Sequence, residues 1–192
     1  MSDIVYTGNV KPQKAINIGN LDFYLCPKCG TNTIRYAQYV YNGGTETISD
    51  HRDDSYSLIS LNKNNVEYID ERDSAIKIAV KRDPVERFIS ALRWHNHKHD
   101  VNLSVEDVFA DNTAHNMSPH FIPQSHFYGN NPEKYDHIIY IHEVTNMILT
   151  ATGKDVGTIH KGQQLAPVIT LTDEEKERVK NHYVVDYEAG YC

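Results

Sequence analysis

The chain has 192 residues, 40% of them hydrophobic and 23% charged, with only 10 Gly and 7 Pro. This fits one domain with a real core and excludes a collagen-like repeat, a coiled-coil rod and wholesale disorder. Nineteen Lys and Arg against 26 Asp and Glu leave a net charge of -7, which argues against a general nucleic-acid or anionic-membrane binder. Cys26, Cys29 and Cys192 cannot make a disulfide framework and point to a reducing compartment. No stretch near the N-terminus resembles a signal peptide, and no window approaches the ~18 apolar residues of a membrane span. The expected location is the cytoplasm.

In chain order, residues 21–26 (LDFYLC) read as a buried strand, and residues 27–32 as a turn. Ile34, Ala37, Val40 and Tyr41 at helical spacing predict a helix over 33–41. Residues 42–75 are polar, with one strand expected at 56–61, and the next clear strand is Ile76–Lys81. A helix then opens with Asp83 as N-cap, Pro84 at its first position and Glu86 completing a capping-box-like pattern. Val85, Phe88, Ile89 and Leu92 form its core stripe. Further on, the pattern predicts a short helix at Val105–Ala110, a third strand at 137–141 and a helix at 144–150. Thr172 and Glu175 open a last helix with a capping box. Alternating strands and helices imply an α/β fold with a mainly parallel central sheet flanked by helices. Ligands of such sheets bind beyond the C-terminal ends of the strands.

Two strand–helix junctions carry chemistry. At the first, Cys26-Pro27-Lys28-Cys29-Gly30-Thr31-Asn32-Thr33, a loop runs into a helix N-terminus whose free N–H groups favour an anion. Gly30 permits close backbone approach, Thr31 and Thr33 bring hydroxyls, and Lys28 brings a point charge. The Walker pattern is absent, because the Lys precedes the Gly. An ordinary turn with a surface Lys is the bland alternative. At the second, Arg82 stands at a strand end, and Asp83, Arg87 and Ser90 follow at helical spacing on a face distinct from the apolar stripe. Residues 77–93 hold five basic residues against two acidic ones, inside an acidic chain. An Arg fork beside a Ser hydroxyl suits a phosphate monoester.

Taken together, the two junctions resemble the sulfotransferase superfamily. There P-K-x-G-[ST]-[ST] grips a 5′-phosphosulfate and R-D-P-x-x-R-x-x-S grips a 3′-phosphate. The matching residues are Pro27, Lys28, Gly30 and Thr31, then Arg82, Asp83, Pro84, Arg87 and Ser90, with Asn32 departing from the usual hydroxyl residue. His120-Phe121-Ile122-Pro123-Gln124 is similar to the H-W-x-P-Q of the carbohydrate (Golgi-type) branch, with Phe for Trp. Tyr135-Asp136-His137-Ile138 with Glu143, and Tyr183, Asp186, Tyr187 and Tyr191, resemble two later motifs of that branch. That branch's membrane anchor and lumenal disulfides are not expected here, and the 192 residues are few for it, as in a bacterial or viral member.

The resemblance implies a single P-loop-like three-layer domain, with a 5′-phosphosulfate loop at 26–34 and a 3′-phosphate motif at 76–93. Its donor is 3′-phosphoadenosine 5′-phosphosulfate and its acceptor a hydroxyl, expected on a carbohydrate, with no metal, nucleic acid or membrane implied. Pro27, Lys28, Cys29, Gly30, Thr31, Asn32, Thr33, Arg82 and Ser90 would bind the donor, and Lys28 would stabilise the charge leaving the sulfur. Eleven histidines compete for the base. His51, between the two motifs, comes first; His120, as base or acceptor contact, second; His126 third. Cys26 and Cys29 as a metal or redox pair, and the metal-like run His95-Asn96-His97-Lys98-His99, are weaker readings. A kinase-like nucleotide enzyme or a non-catalytic nucleotide-binding module are the alternatives. The first would need a Ser or Thr after a Walker Lys and a magnesium-binding carboxylate, and neither stands in its expected place.

Overall fold

Ala15–Ile18 (β1) and Leu21–Tyr24 (β2) pair antiparallel, with Gly19 and Asn20 between them. Gly19 takes the left-handed φ of +62° that so short a connection requires. This hairpin extends the single strand expected at 21–26, which itself ends at Tyr24. Its signal, Gly-Asn between two apolar runs, is present in the sequence. The computed structural model describes residues 15–44, 68–69, 74–110, 118–157 and 167–192. The strand expected at 56–61 lies outside them.

The remaining elements follow in order. They are Thr31–Tyr41 (α1), Tyr68–Ile69 (β3), Ile76–Lys81 (β4), Pro84–His99 (α2), Val105–Ala110 (α3) and Gln124–Tyr128 (α4). Then come His137–Tyr140 (β5), Val144–Thr152 (α5), Asp173–His182 (α6) and Val184–Glu188 (α7). Among the described residues the sheet has the order β3-β1-β2-β4-β5. Its heart, β2-β4-β5, is parallel, while β1 pairs antiparallel with both β2 and β3. The fold is therefore α/β with a mixed sheet, less uniformly parallel than the alternation of elements suggested. The antiparallel part comes from the hairpin, whose two-residue turn forces reversal.

Local signals set the helix ends. Asp83 Oδ1 accepts the Glu86 N–H at 3.0 Å and caps α2 as its sequence predicts, although Glu86 turns its own carboxylate toward Arg82. Thr172 and Glu175 close a reciprocal capping box on α6. Helix α1 starts two residues before the expected position 33, because Gly30 at φ +83° serves as its N-cap. Strand β5 ends at Tyr140, and residue 141 begins a short 3-10 turn, Ile141–Glu143.

One apolar cluster joins the sheet to α1 and α5 through Ile16, Phe23, Ile34, Ile78 and Ile148. A second packs α2 on α3 and α6, with Phe88 meeting Phe109, Phe121 and Tyr183 ring to ring. Because β2, β4 and β5 run parallel, their C-terminal ends release three strand–helix junctions along one sheet edge. This is where α/β sheets take ligands. No described helix is long and apolar enough to cross a membrane.

Candidate functional site

The loop from Leu25 to Gly30 leaves β2 and turns sharply into α1. Cys29 N–H bonds to Cys26 O at 3.1 Å, and the Thr31 hydroxyl donates to the same carbonyl at 3.1 Å. The Thr31 proton, expected to face an anion, is thus spent on closing the loop. Gly30 has two reasons to be glycine. Its φ is +83°, and a Cβ there would stand 2.8 Å from Ile141 Cγ1. Lys28 takes a φ of +69°, a left-handed conformation that costs a non-glycine residue on the order of 1 kcal/mol. The first intrahelical bond is Ile34 N to Gly30 O, so the N–H groups of Thr31, Asn32 and Thr33 belong to the open first turn. No side chain caps that turn and no acid lies in it.

Two arginines from the second junction meet this loop. Arg82 Nη1 donates to Lys28 O at 3.3 Å, and Arg87 Nε donates to Pro27 O at 3.0 Å. Arg82 Nε stands 3.6 Å from the exposed carboxylate of Glu86, an ion pair without a hydrogen bond. Arg87 is fully buried, and its Nη1 and Nη2 have no hydrogen-bond partner. This corrects the sequence reading, which put Arg87 on a face apart from the apolar stripe. The guanidinium turns inward beneath the loop, where burial disfavours its charge and Cys26, Cys29, Tyr183 and Asp186, in that order, favour it. Burial first, then Arg82 and Arg87, bring the Lys28 ammonium down to about 8. Ser90 lies half-buried on α2, one turn beyond Arg87.

A residue named only as part of a motif ties the two junctions together. Gln124, with no exposed surface, accepts the Arg82 N–H at 3.0 Å and donates to Arg82 O at 2.8 Å and Tyr191 O at 3.2 Å. Its Oε1 also accepts the Cys29 thiol at 3.1 Å. Burial raises this thiol, but the Cys26 hydrogen bond, Arg87 and Arg82 outweigh it and lower its titration. Asp186, also buried, accepts the N–H groups of Gln124 and Ser125 at 2.9 and 2.8 Å. Tyr183 donates to Phe121 O at 2.7 Å and Tyr191 to Gly129 O at 2.9 Å. The later motifs therefore brace the loop from below. Asp136 does the same for β4, accepting the Lys77 N–H at 2.7 Å. Cys26 and Cys29 are free and buried, and burial pushes the Cys26 thiol up.

Above the loop, Lys28 Nζ stands 5.4 Å from the ring centroid of Trp94 on α2. Lys98 approaches the same ring at 4.4 Å, and His120 packs edge-on against it at 4.3 Å. Burial first, then Lys28, His95, Arg87 and Lys98, bring His120 down to about 3, so its imidazole is neutral. His95 is lowered too, by burial, His99, Lys28 and Lys98. The structure thus brings His120 to Lys28, puts His126 on α4, and leaves His51 outside the described residues. Trp94, which the sequence reading passed over, is the aromatic face of the site; being the chain's one Trp, near a predicted anion motif, was its only signal. Among the described residues no three His, Cys, Asp or Glu side chains are grouped to hold a metal ion. Comparison of the chain with family models, with curated proteins and with solved structures finds no match.

Proposed function

We propose that the chain moves a sulfuryl group from 3′-phosphoadenosine 5′-phosphosulfate to an acceptor hydroxyl, in the first place on a carbohydrate, using a P-loop-like three-layer fold. The observation that carries the reading is a gathering of cations. Lys28, Arg82 and Arg87 meet on one strand–helix loop, and Arg87 keeps two buried nitrogens unpaired. Lys28 and Arg82 suit a ligand with several phosphate or sulfate oxygens, the buried Arg87 adds positive field from beneath the loop, and the open first turn of α1 adds backbone donors.

In this reading Lys28, Gly30, Thr31, Asn32 and Thr33 hold the 5′-phosphosulfate, while Arg82 and Ser90 hold the 3′-phosphate; Pro27 and Cys29 shape the loop. When bound, the donor supplies a sulfuryl group activated by its phosphate leaving group. Lys28, still largely charged at neutral pH, stabilises negative charge as it develops beside the loop. Arg82 and Arg87, fixed by their bonds to the loop backbone, keep that field preorganised. His120, a neutral imidazole whose own protonation is disfavoured, is the candidate first acceptor of the hydroxyl proton, and the face of Trp94 gives a sugar ring an apolar surface.

Titration calorimetry with adenosine 3′,5′-bisphosphate, without magnesium and with ATP and AMP as controls, tests this. Binding that depends on the 3′-phosphate is expected. Folded protein that does not bind, or that prefers ATP, would overturn the reading. Release of the bisphosphate from the donor then separates an enzyme from a binding module.

A further inference from the structure

From the Lys28 loop, a line of polar contacts leads along α2 toward solvent. Ser118, only 4% exposed, holds its hydroxyl between two imidazoles, 2.8 Å from His95 Nε2 and 3.0 Å from His120 Nδ1. The same oxygen accepts the backbone N–H of His120 at 3.3 Å. A hydroxyl has one proton to give. One ring nitrogen must therefore donate to Ser118 while the other accepts from it. Nδ1 of His120 is committed to Ser118, so Nε2 is the nitrogen left for a ligand. Of the two possible orders, only the one that leaves this free nitrogen bare lets His120 accept a proton there. The order that follows is His120 Nδ1–H to Ser118 Oγ, then Ser118 Oγ–H to His95 Nε2. The His95 ring lies 5.2 Å from that of His99, one turn further along α2 and exposed.

We propose that His120, Ser118 and His95 form a proton relay that carries the acceptor's hydroxyl proton away from the Lys28 loop to solvent. The proposal rests on the transfer reading above, with His120 as catalytic base and Ser118 and His95 as positioning residues that also pass the proton on. The acceptor oxygen bonds to sulfur as its O–H bond breaks, and the electron pair of the broken S–O bond leaves with the bisphosphate. The hydroxyl proton goes to His120 Nε2. The Nδ1 proton passes to Ser118 as the Ser118 proton passes to His95 Nε2, and His95 then releases its Nδ1 proton to water. A relay answers a specific difficulty. Around His120 stand Lys28 from the loop and Arg87, His95 and Lys98 from α2, all cationic or imidazole, so a proton left on His120 would be strongly disfavoured. Trp94, edge-on at 4.3 Å, and Phe121, 5.3 Å from the His95 ring, keep the two imidazoles in place.

Long-range proton–nitrogen NMR on the full chain reads imidazole tautomers without any ligand. The expected spectrum has His120 protonated at Nδ1 and bare at Nε2, and His95 bare at Nε2. In Ser118→Ala, His120 should lose its tautomer preference and the His95 titration should move, with the rest of the amide spectrum unchanged. Ser118→Thr, which keeps the hydroxyl, should restore both. His120 protonated at Nε2 in the wild type, or rings unmoved in Ser118→Ala, would overturn the relay. As a second readout, hydrolysis of the phosphosulfate donor uses water as acceptor. Ser118→Ala should lower its rate at least tenfold and alter its pH profile, with bisphosphate affinity unchanged. An unaltered rate and profile would reduce the contacts to structure. If the wild type binds no bisphosphate, the transfer reading falls and the catalytic role of the relay falls with it, whatever the NMR shows about tautomers.

Discussion

Arg87 Nε donates a 3.0 Å hydrogen bond to the carbonyl of Pro27, so a guanidinium with no exposed surface forms the floor of the loop that carries Lys28. A buried cation with two unpaired nitrogens costs several kcal/mol of desolvation, which one engaged carboxylate at Asp186 offsets only in part. Its positive field reaches Lys28, where it adds to that of Arg82.

Arg87→Met, which keeps length and bulk but removes the charge, separates stability from binding. Thermal unfolding should show a loss of about 3 kcal/mol, because the change leaves the buried Asp186 carboxylate and the Pro27 carbonyl without their cation. Affinity for adenosine 3′,5′-bisphosphate should fall about tenfold, equivalent to ~1.4 kcal/mol. A variant that melts earlier yet binds as tightly as the wild type would make Arg87 a structural residue only.

Lys28 and Arg82 should fail differently. Lys28→Ala is expected to abolish bisphosphate release from the donor, because the charge it stabilises develops during transfer. Arg82→Ala should mainly weaken binding, by about 10- to 100-fold, the worth of a hydrogen bond to a charged group. Normal turnover in the Lys28 variant would sink the assignment.

The depressed Lys28 titration sets two opposite pH trends. In the unfolded chain its ammonium titrates near the usual 10.5, and in the folded chain at about 8. Between these values the unfolded state holds more protons, so this group's penalty on stability is full below about 8 and fades as pH rises toward 10.5. Anion affinity should do the reverse and weaken as pH rises through about 8. Near pH 8.5, about half a unit above that value, binding should take up a proton. Calorimetry in two buffers of different ionisation enthalpy measures this, and Lys28→Ala should abolish it. Constant affinity from about pH 7 to 9 without proton uptake would place Lys28 away from the bound anion.

Gln124→Ala should be costly although Gln124 lies beneath the loop and holds no ligand. It strips partners from the backbone of Arg82, the Cys29 thiol and the Tyr191 carbonyl at once. The expected loss is about 3 kcal/mol by denaturant unfolding, with weaker bisphosphate binding as the two junctions loosen. A loss below about 1 kcal/mol would show that the junctions hold without it.

How much was legible in the sequence differs by the range of the interaction. The caps at Asp83 and Thr172 and the strand Ile76–Lys81 depend on residues within a turn or two of one another, and the structure has them as the sequence predicts, whereas the loop before α1 runs from 25 to 30 rather than 27 to 32. Arg87 was misplaced because periodicity sorts residues by polarity, and a guanidinium counts as outward unless something receives it. Here the receiver is Pro27, 60 positions away. Gln124 and Asp186 lie 62 positions apart and Gln124 and Arg82 lie 42 apart, so no local pattern reveals that they join. That His120 comes near Lys28 was set the same way, by α2 carrying Trp94 and His95 to that side. The sequence alone indicated α1, α2, α3, α5 and α6 and the caps at Asp83 and Thr172, but not α4 or α7, because backbone geometry and capping act over a few residues. Only the tertiary structure decided which charges share one loop and which imidazoles meet there, because electrostatics and hydrogen bonds act through space between segments that the chain order keeps apart.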